Sequence, residues 1–145
     1  MELPVTFADI KAAADTIDGS VLATPTTHAR TLSEITGADL LLKFENLQFT
    51  GSFKERGARN FLCRLSPADR SRGVVAASAG NHAQGVAYHA KLLDIPATIV
   101  MPADTPFTKV TSTAHHGVQI ELVTFVNGVS AGITIVAGMP SNAAW

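Results

Sequence analysis

The chain has 145 residues, 46% of them hydrophobic, which is enough for one domain with a real core and too apolar for wholesale disorder. Eleven Lys and Arg against twelve Asp and Glu leave a formal net charge of −1, so no broad field favours nucleic acid or an anionic membrane. The lone Cys63 excludes an internal disulfide and the Cys-rich zinc patterns.

The opening stretch MELPVTFADIKAAADTIDG carries acids through its apolar positions, unlike a signal or transit peptide, and a cytoplasmic protein is expected. Thr6 can cap a helix with Asp9 three residues on, and Ile10, Ala13, Ala14 and Ile17 would share its inner face. SVLATPTT is extended, because Pro25 disfavours helix at Thr24. ARTLSEITG suits a short helix stopped by Gly37.

From Asp39 strands and helices alternate. DLLLKFE reads as a strand, followed by a turn and a helix with Phe53, Gly57, Ala58, Phe61, Leu62 and Leu65 at its apolar positions. GVVAAS is a short continuous strand of the buried parallel kind, and the next helix sets Ala83, Val86, Ala87, Ala90 and Leu93 on one stripe. ATIVMP is a third strand. Thr105 and Pro106 would cap and open a helix to about His115, and VQIELV is a fourth strand. The alternation predicts an α/β fold, an open parallel sheet flanked by helices. From Leu122 to Trp145 no residue is charged; three glycines, two asparagines and Pro140, with no flanking Lys or Arg, argue against a membrane span.

In such sheets ligands gather at the carboxyl ends of the strands. Two loops would meet there, ENLQFTGSFKERGA and SAGNHAQG (78–85). The second leads into a helix N-terminus, where unpaired N–H groups and the helix dipole favour an anion; a Ser or Asn alone would read as an ordinary cap. After Gly80–Gly85 come Val86 and Ala87, which fails the phosphate-cradling P-loop pattern, and the Gly-x-Gly-x-x-Gly spacing is absent. A smaller anion, such as a carboxylate, remains. Lys54 beside such a loop suits amine chemistry on amino acids, with Phe53 expected to help desolvate the ammonium.

LLKFENLQFTGSFKERGARN, GVVAASAGNHAQGVAYHAKLL, ATIVMPADTPFTKV and ATPTTHARTLSEITGADL together resemble the front part of the threonine/serine dehydratases, fold-type II pyridoxal-phosphate enzymes related to tryptophan synthase β. The resemblance runs from about Thr6 to Val123. It implies pyridoxal 5'-phosphate as cofactor, with Lys54 holding it as a Schiff base and later taking the α-proton. Phe53 would pack on the pyridine ring and Asn81 would bond its hydroxyl. Ser78, Ala79, Gly80, Asn81 and His82 would present donors, mainly backbone, to the substrate carboxylate. L-Threonine or L-serine would lose its β-hydroxyl and give a 2-oxo acid and ammonia. Serine racemases carry a second serine where this chain has Ala79, which implies elimination rather than racemisation.

The resemblance also implies a family chain more than twice this long, working as a homo-oligomer, whose larger lobe carries a Gly-rich cup for the cofactor phosphate. Residues 1–38 are therefore expected to be a segment that packs on that lobe, 39–123 the small α/β domain, and 124–145 a divergent tail. Without the phosphate cup, cofactor affinity and turnover by this chain should be low. Two functions compete: an ammonia-lyase of threonine or serine, and a catalytically silent fragment that serves as an interaction partner of a full-length relative. His115 and His116 point about 100° apart on a helix and read as surface residues, not a metal pair. His28 and His89 receive no role, Cys63 reads as core, and Arg56 and Arg59 are either solvated or partners of Glu45 or Glu55.

Overall fold

The computed structural model describes residues 5–124 and 133–136. Helix α1 (Phe7–Ile17) opens on the anticipated capping box: the Asp9 amide donates to Thr6 Oγ1, and the Thr6 amide donates to Asp9. Of its expected inner face only Ile17 is buried, and Ile10 stays largely exposed.

Strand β1 (Thr26–His28), helix α2 (Arg30–Thr36) and strand β2 (Leu41–Lys43) form a small unit of their own. Gly37 ends α2 in the left-handed conformation, and the chain returns so that β2 pairs antiparallel with β1, Thr26 opposite Lys43. This corrects the expectation that DLLLKFE opens the parallel sheet. A short apolar run says that a strand is stable but not which neighbour it pairs with. Here Leu41 is 65% exposed, so the run is not the buried strand it resembles.

A single 3-10 turn (Glu45–Leu47) leads into helix α3 (Lys54–Cys63). Arg56 of α3 grips Glu45 with two bonds, Nε at 2.7 Å and Nη2 at 2.8 Å, and Thr24 donates to the same carboxylate. Arg56 is thus a partner of Glu45, and a bidentate guanidinium pins the β1–β2 unit to α3. Buried Gln48 reinforces this by exchanging two bonds with the Leu22 backbone.

Helix α4 (Pro67–Arg72) has no counterpart in the sequence reading. Its signal was present: Ser66 caps it by accepting from the Asp69 amide, and Pro67 fills the first turn. Then follow β3 (Val74–Ala77), α5 (Asn81–Leu92), β4 (Ala97–Pro102), α6 (Phe107–Ala114) and β5 (Gln119–Val123). Pro106, not Thr105, occupies the N-cap of α6, and no side chain bonds there. The Thr105 amide instead closes a turn onto Pro102 O.

The second sheet has the order β5-β4-β3-β6, where β6 (Ile133–Val136) comes from the charge-free tail. β3, β4 and β5 run parallel, Val74 opposite Ala97 and Thr98 opposite Gln119, and β6 lies antiparallel on β3. The molecule is therefore an α/β fold with a parallel sheet flanked by helices, closed at one edge by an antiparallel strand. The core joins Ala58 and Leu62 of α3, Ala83, Val86 and Ala90 of α5, and Ile99 and Met101 of β4. Of the predicted α5 stripe, Ala83, Val86, Ala87 and Ala90 are buried, while Leu93 is the half-buried C-cap; Gly85 and His89 are buried too. Among the described residues no helix is long and apolar enough to cross a membrane.

Candidate active site

The lysine loop turns at Gly51, whose φ of +71° lies in the left-handed region that glycine adopts without strain. Buried Ser52 follows, and its Oγ accepts from the Lys54 amide at 3.4 Å. The Thr50 amide donates to Glu55 across the turn. The chain therefore enters α3 with Lys54 as its first helical residue.

Lys54 is exposed, and so is Phe53, at 60%. The expected desolvation of the amine by Phe53 is not found. The ammonium instead stands over the ring, 5.0 Å from its centroid. Such a contact at an exposed site is worth only about 0.5–1 kcal/mol, too little to hold the amine away from a reacting partner.

The second loop meets this one through a single face of α5. Its residues His82, Gly85 and His89 are spaced three and four apart, which places them one above another. A Cβ at Gly85 would lie 3.3 Å from Lys54 C, Lys54 O and Glu55 N, so the two backbones touch where a side chain would intrude. At the upper end, burial and then the nearby Lys54 ammonium hold the His82 pKa below its ordinary value. At the lower end, His89 is fully buried against fully buried Glu55. Burial pushes the His89 pKa down and Arg59 adds to that, while Glu55 opposes it. The loops thus lie side by side, although the first does not follow a strand of the parallel sheet; α3 packing on α5 brings it there.

At the turn itself the Ser78 amide donates to Val100 O at 3.0 Å, and the Gly80 amide donates to Ser78 Oγ at 3.2 Å. The Ser78 N–H is thus tied to strand β4, and the Gly80 N–H is engaged within the turn. No side chain caps the N-terminus of α5, Asn81 is exposed there, and Ala79 is half-buried. A cleft of about 250 Å³ runs between this turn and α6, with Ala79, Gly80, Asn81, Lys109 and Ser112 among its walls. It has room for a small ligand, and Lys109 brings a positive charge to it.

Glu55, Gly85 and His89 carry this arrangement without having been singled out for it in the sequence. The helical spacing of His82, Gly85 and His89 was the available signal. Gln84 of α5 donates to Thr113 of α6 and is bonded at 3.0 Å by His116, which lies just past α6 and is half-buried rather than a surface residue. His28 sits 2.9 Å from Asp39. Cys63 is half-buried. Among the described residues no group of three His, Cys, Asp or Glu could hold a metal.

Residues 17–139 match the model of the family described as pyridoxal-phosphate dependent enzyme. The L-threonine ammonia-lyase of Thermotoga maritima is 53% identical over 118 residues, covering 81% of this chain and 29% of that protein. The L-threo-3-hydroxyaspartate ammonia-lyase of a Pseudomonas species is 51% identical over 114 residues, with 79% and 36% covered. Among solved structures, serine racemase from Dictyostelium discoideum superposes with a TM-score of 0.78 at 36% identity, covering 85% of this chain and 40% of that one. The chain thus spans about a third of the length of these curated relatives.

Proposed function

The chain belongs to the pyridoxal-phosphate dependent enzyme family, and from that premise we propose that it carries the cofactor lysine and carboxylate turn of an L-threonine or L-serine ammonia-lyase. The observation that carries the reading is the exposed Lys54 amine on a helix whose backbone touches Gly85, next to the uncapped N-terminus of α5. These residues fit the cofactor: Lys54 offers an accessible primary amine, Phe53 an exposed flat ring, and Asn81 an exposed amide on the first turn of a helix whose uncapped N-terminus suits an anion.

When bound, pyridoxal phosphate supplies an electron sink for cleavage at the α-carbon and departure of the β-hydroxyl. Lys54 Nζ is the atom that would hold it, and as a free amine it would be the group to accept the α-proton of the amino acid. Asn81 would hold the ring hydroxyl and Phe53 would cover the ring. The 78–82 turn orients the substrate carboxylate: the Ser78 amide ties it to β4, the Gly80 amide closes it on Ser78 Oγ, and the first-turn N–H groups of α5, which no side chain caps, are the donors left for an anion. Ala79 offers no hydroxyl, so that position has no group to return a proton to the opposite face, which favours elimination over racemisation. L-Threonine then yields 2-oxobutyrate and ammonia, the water lost at the β-carbon being regained in hydrolysis of the enamine.

Absorption spectra of the 145-residue chain with pyridoxal phosphate test this. The expected result is a visible band that is present in the wild type, absent in Lys54→Ala, and shifted by L-threonine. Identical spectra for the two proteins would sink the reading.

A second reading is a silent chain that docks on a full-length relative. Phe44, Leu47, Phe49 and Phe53, between the β1–β2 unit and α3, are all more than a third exposed, and this favours it. It predicts a featureless spectrum together with association that rises with concentration.

A further inference from the structure

Directly after Lys54 the chain buries a carboxylate. Glu55 and His89 are both 0% exposed. One Glu55 oxygen accepts from the Thr50 amide, and the other stands 3.5 Å from His89 Nε2, longer than a hydrogen bond. That second oxygen, both ring nitrogens of His89 and Thr50 Oγ1 have no hydrogen-bond partner among the described residues. Arg59, from the next turn of α3, bears on the same histidine, and Tyr88 meets its ring edge at 5.0 Å.

On stability alone this is a poor arrangement. Buried polar atoms without partners are costly, and apolar side chains of similar volume would fill the space without that penalty. What the pair does supply is placement. Glu55 ties the start of the lysine loop to the start of α3, and His89 sits on the α5 face that also presents Gly85 to the Lys54 backbone.

We propose that Glu55 and His89 are positioning residues, whose buried contact, with the Thr50 amide, fixes the approach of Lys54 to the 78–82 turn. The proposal rests on reading Lys54 as the cofactor lysine. It goes beyond that reading by assigning a role to two side chains that touch neither cofactor nor substrate.

The test uses reductive labelling. The chain is incubated with pyridoxal phosphate, reduced with borohydride and digested, and labelled Lys54 is measured against labelled Lys109 from the same tube. Three proteins are compared: wild type, Glu55→Gln, and the double variant Glu55→Leu/His89→Leu. Urea midpoints and Thr50 amide exchange are recorded for each.

Glutamine keeps an acceptor for Thr50, so its labelling ratio should stay near wild type. The double variant should keep or raise the urea midpoint yet lower the ratio about fivefold, the factor carried by one lost buried hydrogen bond. A purely structural pair predicts the reverse: apolar repacking would preserve the ratio along with the stability, and that result overturns the proposal. If the double variant does not fold, the glutamine variant decides. Labelling that follows Thr50 amide protection, kept or lost together, supports the proposal, and labelling that parts from it refutes it. A wild type that shows no preference for Lys54 removes the functional reading first, and the inference falls with it.

Discussion

Replacing Gly85 by alanine puts a methyl group into the narrowest part of the contact between α5 and the lysine loop. The added Cβ would stand 3.3 Å from Lys54 C, Lys54 O and Glu55 N, all backbone atoms that cannot rotate aside. The start of α3 would have to retreat by a few tenths of an ångström. Overpacking of this kind costs about 1–3 kcal/mol. Against it, alanine gains about 0.5–1 kcal/mol over glycine inside a helix. Gly57 supplies the control, because it lies within α3 and nothing comes within 4 Å of a Cβ there. Gly57→Ala should keep the helix gain alone, so the two variants should differ by about 1–3 kcal/mol, the overpacking cost itself. Urea titrations with unchanged slope measure that difference as a shift in midpoint. Gly85→Ala should also lose preferential pyridoxyl labelling of Lys54, which Gly57→Ala should retain. Equal midpoints and equal labelling would refute the claim that α5 and the Lys54 backbone are in contact.

Glu45 is held down to about 2 from an ordinary 4.5, chiefly by its bonds from Arg56, then by those from Thr24 and Gln48, against some burial. A depressed carboxylate stabilises the fold above its unfolded value, so a contribution on the order of 3 kcal/mol should vanish as pH falls from 4.5 towards 2. The stability gap between wild type and Glu45→Gln should close over that range, and a gap independent of pH contradicts the assignment. His82, His89 and His116 all have pKa values lowered from 6.5, with burial the largest cause in each. The unfolded chain then takes up protons first, so the thermal midpoint should be highest above pH 6.5 and fall as pH drops below it; a rising midpoint would count against their burial. Leu62 is 0% exposed, and Leu62→Ala should cost about 2–5 kcal/mol in urea unfolding without altering which lysine is labelled.

The parts of the fold that were legible in the sequence are those where one period decides the structure. Of the α5 stripe Ala83, Val86, Ala87, Ala90 and Leu93, the first four are buried as their spacing required and Leu93 is half-buried at the C-cap; the capping box at Thr6 and Asp9 forms. Pairing was less legible. LLK makes a strand, but its partner is the distant TTH, because antiparallel pairing is set by how α2 returns the chain. Helix α4 is too short to show a period, and only Ser66, Pro67 and Asp69 mark its start. Lys54 and the 78–85 loop stood out by composition. Their support did not, because Glu55 reads as a surface acid beside a lysine and His89 as an unplaced histidine. Only packing α3 on α5 shows that both are buried, and why Gly85 is a glycine.

The central claim is that Lys54, alone among the lysines, is held where pyridoxal phosphate is taken up. Peptide mapping of the borohydride-reduced complex tests it most directly. The account predicts that the pyridoxyl group lies predominantly on the peptide containing Lys54, with Lys11, Lys43, Lys91 and Lys109 at the background of the urea-unfolded chain. Labelling spread across the lysines as it is in the unfolded chain, or concentrated at another of them, would contradict it.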